Sequence, residues 1–286
     1  MHPILFTIPG INFPIRSFGL MLATGFLVGS WLLTRLAQRY GDDPKNDPAR
    51  YSAITVWILF GVVLGARAHY VIVEILRGDE EGFVSHPLEI FKVWKGGLAM
   101  YGGMFGAIAA GVWKARLEKV RVLHALDLGL IAGFVGQAIG RVGCFLVGDD
   151  YGSLVPEKYQ NLPWPITLHV PDPLPEGSMF GAENAGRILW ATQNWMSVKA
   201  LIVAFVGWQV LKHRRYAGQV SLWIVLTYAI LRSIIEVFRG DAIRGVWFGG
   251  ALSTSQIISM VSGTIAIALL VKYCSRGKVS PGALSG

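Results

Sequence analysis

Residues 124–147 read HALDLGLIAGFVGQAIGRVGCFLV and run on into Gly148-Asp149-Asp150-Tyr151-Gly152. A helix needs about 20 apolar residues to cross a bilayer core of about 30 Å, and this run is long enough. It nevertheless carries Arg141 among apolar neighbours. An arginine at membrane depth costs roughly 2.5–3.5 kcal/mol on insertion scales, and so marks a functional site by default. Six other runs have comparable length and polarity, at 17–37, 52–75, 97–115, 188–211, 219–238 and 251–273. The expected fold class is an all-α integral membrane protein of seven transmembrane helices, with 1–286 forming a single membrane domain.

Composition agrees. Of 286 residues, 53% are hydrophobic and 15% charged, where soluble domains carry about a quarter charged residues. The mean hydropathy is +0.48. A net charge of +8 would suggest nucleic acid on a soluble chain. Here Lys and Arg gather in short connections, which argues for membrane orientation and against nucleic-acid binding. Fourteen lie in the 1–2, 3–4 and 5–6 connections and the C-terminal tail, including Arg35, Lys45, Lys114, Arg121, Arg214, Arg276 and Lys278. Eight lie on the other side: Arg16, Arg77, Lys92, Lys95, Lys158, Arg187, Arg239 and Arg244. The richer side is cytoplasmic, so the N-terminus is expected outside and the C-terminus inside. The opening Met1-His2-Pro3-Ile4-Leu5-Phe6 has no basic stretch or small-residue cleavage site, so no cleaved leader is expected.

Residues 148–187 contain Pro156, Pro163, Pro165, Pro171, Pro173 and Pro175, which exclude a long helix. They are expected to form a small extracytoplasmic head after the fourth span, with a short strand within Trp164–Val170. The absence of an internal repeat leaves an inverted-repeat transporter without support. Cys144 and Cys274 are expected near opposite membrane faces, which argues against a disulfide between them. No metal or nucleotide motif occurs, so no metal and no cofactor are expected.

Four charged side chains stand out within the spans: Arg67, Arg141, Arg232 and Glu236. In the sixth run Tyr228, Arg232, Glu236 and Arg239 are spaced 4, 4 and 3, which sets them on one helical face. A structural ion pair explains Glu236 and one arginine but leaves the other cationic. In the fourth run Gly133, Gly136, Gly140 and Gly143 allow close approach of a helix or of a ligand. Arg67, Tyr70 and Glu74 share a face of the second. Tyr101 sits between glycines in Gly96-Gly97-Leu98-Ala99-Met100-Tyr101-Gly102-Gly103, where its hydroxyl is either reactive or hydrogen-bonded structurally. Three arginines against one glutamate call for an anion, and the abundant anion in a bilayer is a lipid phosphate.

Three of these stretches together resemble the phosphatidylglycerol–prolipoprotein diacylglyceryl transferase family of bacterial lipoprotein maturation. They are Gly140-Arg141-Val142-Gly143-Cys144-Phe145 through Gly152, Gly96 through Gly103, and Tyr228-Ala229-Ile230-Leu231-Arg232 through Arg239. The resemblance covers nearly the whole chain. It implies transfer of the diacylglyceryl group of phosphatidylglycerol to the lipobox cysteine of a preprolipoprotein signal peptide, releasing glycerol phosphate. It places the enzyme in the bacterial cytoplasmic (inner) membrane, as a monomer. Arg141 and Arg232 carry the family's essential cationic roles, and Tyr101 becomes the candidate thiol base. Arg67, Gly140, Gly143, Asp149, Gly152, Tyr228, Glu236 and Arg239 are expected to bind substrate or shape its cavity. The chain departs from the family where Tyr101 replaces a His, Cys144 an Asn, Asp149 a Glu and Phe18 a Tyr. Trp190-Ala191-Thr192-Gln193 likewise replaces His-Pro-Ser/Thr-Gln. Two alternatives stay open: a lipid or anion transporter, and a catalytically silent lipid-binding homologue.

Overall fold

The computed structural model describes residues 1–8, 10, 13–79, 82–93, 96–240, 245–247 and 252–274. Lys95, Arg244, Arg276 and Lys278, which entered the charge count, lie outside the described residues, as does the side chain of Cys274. Seven helices dominate: α1 Ser17–Tyr40, α2 Asp47–Arg77, α3 Met100–Leu117, α4 Val122–Val147, α5 Thr192–Lys212, α6 Gln219–Glu236 and α7 Thr254–Cys274. All but α3 are long and apolar enough to cross a membrane, which makes this a multi-pass membrane architecture. α3 falls short because Lys114 and Arg116 occupy its last turn and glycines interrupt its apolar body. Leu27, Leu64, Leu76 and Val271 point outward from their helices, as lipid solvation allows.

Two helix starts differ from the sequence reading. The third run was expected from 97, but the chain stays non-helical to Ala99, whose N–H donates to the Ala66 carbonyl at 3.0 Å. The fifth was expected from 188, but Ile188–Trp190 is a strand, β4, and the helix begins at Thr192. β4 pairs antiparallel with β3, Thr167–His169, the strand expected within 164–170. Leu154 adds a bridge to Leu189. Leu168, Val170, Phe180, Leu189 and Ala191 form a small buried apolar cluster around this pairing. The N-terminal strands β1, Ile4–Ile8, and β2, Phe13–Arg16, pair as a hairpin. β5, Val246–Trp247, pairs with β6, Leu252–Ser253.

The chain falls into two compact units, Leu33–Ala125 and a larger one made of Met1–Leu32 with Leu126–Gly286. In the smaller unit α2 and α3 approach so closely that a Cβ on Gly65 or Gly102 would collide with the other's carbonyl oxygen. In the larger, a Cβ on Gly136 of α4 would lie 2.6 Å from the Gly25 carbonyl of α1.

Asp127 and Lys199 are further charged residues inside apolar helices, so the count of four was too low. Asp127 is fully buried and accepts from Gly218 N (2.8 Å), Ser221 N (2.8 Å) and Ser221 Oγ (2.7 Å), with Arg214 at 3.7 Å. One carboxylate of α4 thus caps the N-terminus of α6, whose own N-cap is Gly218. Asp127→Ala strands those buried donors and should cost about 3 kcal/mol, read as a lowered thermal midpoint in detergent.

Candidate active site

The site is assembled where α4 ends. Past Val147 the chain reverses through Gly148 (φ +81°) and Asp150 (φ +53°), both in the left-handed region. The reversal returns the Asp150 carboxylate to α4, where it pairs with Arg141 Nη1 through Oδ2. Its other oxygen accepts from Arg239 Nη2 at 2.5 Å. One carboxylate therefore bridges two guanidiniums, that of Arg141 nine residues before it and that of Arg239 89 residues after it. Thr192, opening α5, donates its hydroxyl to the Asp150 carbonyl at 2.9 Å. Two residues on, Gly152 N donates to Trp190 O (3.0 Å) and Ser153 N to Phe238 O (2.8 Å). A Cβ on Gly152 would sit 2.5 Å from Trp190 O and 3.0 Å from Phe238 O. Only glycine lets the loop lie this close to β4 and the end of α6, and this packing holds Asp150 in place.

The α6 stripe forms as its spacing predicts. Arg232 Nη2 lies 2.7 Å from Glu236 Oε2, and Glu236 is 1% exposed. Arg232 also reaches Met196 Sδ of α5 (3.8 Å) and Ser255 Oγ of α7 (3.4 Å). The Tyr228 ring packs on Phe134 (5.6 Å) and lies 4.0 Å from Lys199 Nζ of α5. The cations Arg141, Arg232 and Arg239 thus pair with Asp150 and Glu236, and Lys199 joins them through the Tyr228 ring.

The two aspartates are set in opposite directions. Burial pushes the Asp149 carboxyl up, and the neighbouring Asp150 charge adds to that. Burial opposes ionisation of Asp150 too, but Arg141 and Arg239 outweigh it and hold that carboxyl below the usual range.

The structure changes several assignments. Arg141 was expected to need a substrate anion, yet it has Asp150, nine residues on. Asp149, expected at the cavity mouth, takes the Asp150 N–H at 2.8 Å and leaves the arginines to its neighbour. Sequence reasoning missed Asp150, Lys199, Met196 and Ser255. Gln193, which the sequence reading named only within the Trp190–Gln193 segment, is fully buried, and its amide has no hydrogen-bond partner among the described residues. A charged residue in an apolar run was the available signal for Lys199. The four glycines divide: Gly143 packs on Met21 and Phe18 of α1 and Gly136 on Gly25, whereas a Cβ on Gly133 or Gly140 would meet open space.

Arg67 and Tyr101 belong to the smaller unit. Arg67 donates to the carbonyls of Ile90 (2.8 Å), Glu89 (2.8 Å), Gly96 (2.9 Å) and Gly97 (3.1 Å), beneath the rings of Tyr70 and Phe83. Those contacts clasp Glu89, Ile90, Gly96 and Gly97. Tyr101 is half-exposed in the first turn of α3.

Cys144 Sγ and the carboxylates of Asp149 and Asp150 lie within 4.8 Å of one another, a donor set of metal-binding type. Two guanidiniums already engage Asp150, and Arg141 Nη1 lies 3.7 Å from the sulfur, so the local field opposes a cation.

Residues 3–272 match the model of a family described as prolipoprotein diacylglyceryl transferase. The phosphatidylglycerol–prolipoprotein diacylglyceryl transferase of Geobacter sulfurreducens is 30% identical over 284 residues, 98% of each chain. The Vibrio cholerae protein of that name is 30% identical over 280 residues, 97% of this chain and 93% of its own. That of Rhodospirillum centenum is 28% identical over 264 residues, 90% and 87% of the two chains.

Proposed function

The chain belongs to the prolipoprotein diacylglyceryl transferase family, and on that premise we propose how its arginine cluster serves the reaction. The enzyme transfers the diacylglyceryl group of phosphatidylglycerol to a prolipoprotein. Arg141 and Arg232 hold the lipid phosphate, with Arg239 and Glu236 fixing their geometry and Gly152 carrying the Asp150 loop. The acceptor is the lipobox cysteine thiol. Its sulfur bonds to the glyceryl carbon as that carbon's bond to the phosphate oxygen breaks. The bonding pair leaves with the oxygen, and the thiol proton ends on the released glycerol phosphate, so atoms and charge balance.

The observation that carries this reading is the excess of cations around Asp150 and Glu236 in a largely buried setting. Negative charge grows on the leaving phosphate in the transition state, and fixed donors in a dry site stabilise it more than water does. Arginine suits the task because its fork matches phosphate oxygens and burial does not strip its proton. The charge asymmetry of the connections supports an outside N-terminus and a cytoplasmic C-terminus in the bacterial inner membrane, which sets the head on the outer face. The enzyme acts as a monomer.

Tyr101 is the thiol base that the sequence resemblance implies. Tyr101→Phe should lower turnover by about 10²-fold, the low end of general acid–base contributions, in a labelled-lipid transfer assay. Full activity in that variant removes Tyr101 from the reaction. The function as a whole is tested by complementing a strain depleted of its own transferase, with mass spectrometry of a reporter lipoprotein. The expected product carries one diacylglyceryl on the lipobox cysteine. A chain that reaches the membrane and leaves the reporter unmodified is a silent homologue.

A further inference from the structure

Lys199 lies about two turns into α5 and is 4% exposed. Among the described residues no carboxylate lies within ion-pair distance of its Nζ. The ring of Tyr228 lies 4.0 Å away, one turn before Arg232 on α6. The charged groups acting on it are Arg232 and Glu236 of α6, Arg141 of α4, and Arg239 just past α6. Three of these four repel an ammonium.

The helical phase of α5 explains why Lys199 faces that set. Met196, three residues earlier, touches Arg232, and Thr192, seven residues earlier, holds the Asp150 carbonyl. Residues three and seven apart share a helix face. α5 therefore presents Thr192, Met196 and Lys199 to the arginines in turn.

A cation–π contact on Tyr228 offsets only part of what this burial costs. Such contacts contribute about 2 kcal/mol when desolvated, whereas an unpaired buried charge costs several kcal/mol. An arrangement of this kind is balanced when an anion enters it.

Resting on the transferase reading above, we propose that Lys199 is a further substrate-contact residue, its side-chain nitrogen donating to a phosphate oxygen of the phospholipid ester beside Arg141 and Arg232. The two guanidiniums of the clamp are already tied to carboxylates, Arg141 to Asp150 and Arg232 to Glu236. The lysine is not, and a charge-assisted bond to the phosphate is open to it. Phosphate ester chemistry is shared by the bound lipid and the released glycerol phosphate, and the test separates them.

The experiment compares wild type, Lys199→Met and Lys199→Arg in vesicles with graded phosphatidylglycerol content. It reads kcat, KM for the lipid, inhibition by free glycerol phosphate and the thermal midpoint. Loss of one charge-assisted bond of 1.5–3 kcal/mol should raise KM in Lys199→Met by about 10-fold or more. Its thermal midpoint should hold or rise, because a repelled buried charge has been removed. Lys199→Arg should keep KM within about threefold, because the charge and a donor remain. Improved stability with weakened lipid affinity is a combination that a packing role does not produce.

An unchanged KM in Lys199→Met overturns the proposal. So does a KM rise matched by a fall in the thermal midpoint, or a loss of kcat in both variants at constant KM. Weakening confined to free glycerol phosphate places the contact on the product and overturns the assignment to lipid. An inactive wild type instead overturns the transferase reading, a result distinct from all of these.

Discussion

Arg141→Ala should reduce transfer of labelled diacylglyceryl to a lipobox peptide by at least about 10³-fold, equivalent to about 4 kcal/mol of transition-state stabilisation. Removing a single preorganised donor from an oxyanion site costs about 10²–10³-fold. Arg141 is a charged donor, so its loss belongs at the upper end. A second effect adds to the first. Asp150 is held between Arg141 and Arg239, and without Arg141 its carboxylate is left half-neutralised beside the place where phosphate must bind. The substitution therefore removes an attraction and exposes a repulsion.

This predicts a specific pattern in a double-mutant cycle. Arg141→Ala with Asp150→Asn should be less impaired than the product of the two single effects, because the second change removes the stranded charge. Arg141→Lys should fall between wild type and Arg141→Ala. It restores charge without the fork, so it cannot hold Asp150 and a phosphate together. Membrane insertion should be unaffected, because alanine inserts into a membrane helix more readily than arginine, while the thermal midpoint should fall with the lost Asp150 pair. Near-normal turnover in Arg141→Ala removes Arg141 from the chemistry.

The parts of this structure that were legible in the sequence are those set by local periodicity. The α6 ion pair follows from a spacing of four residues, since helical geometry leaves Arg232 and Glu236 no choice but to face each other. The spans of α1, α2, α4, α6 and α7 follow from long apolar runs. The start of α5 was hidden because Ile188, Leu189 and Trp190 are as apolar as a helix turn, and only pairing with Thr167–His169 makes them a strand. Asp150 went unassigned for a different reason. Which of two adjacent carboxylates turns back to α4 depends on the positive φ at Asp150, which composition does not display. Arg67 was read as a charge seeking an anion, but its partners are four carbonyls 22 to 30 residues away, a long-range arrangement without a local signature.

Asp150→Asn should lower kcat by about 10²-fold, because a clamp is effective only while its donors are held in the productive geometry. The carboxylate fixes Arg141 and Arg239 at once, and an amide offers one acceptor oxygen where two guanidiniums compete. Stability should fall too. Removing one partner of a buried ion pair costs about 3–5 kcal/mol. The Asp150 side chain is 24% exposed, so about 2–3 kcal/mol is the appropriate figure after solvent screening. Acid titration supplies an independent check. Because the folded-state pKa of Asp150 is lowered, its ion pairs contribute fully above the unfolded value of about 3.9 and are lost only as pH falls through the lower, folded one. Asp149 is shifted upward, so it binds its proton first as pH falls and relieves the repulsion on Asp150 before Asp150 itself titrates. Wild type should therefore keep the loop's contribution to its thermal midpoint down to about pH 4 and lose it below that. In Asp150→Asn the loss below pH 4 should be smaller, because one of the groups that titrate there is gone. A wild type and an Asp150→Asn variant with parallel acid profiles would mean that the carboxylate bridge contributes nothing to holding the arginines.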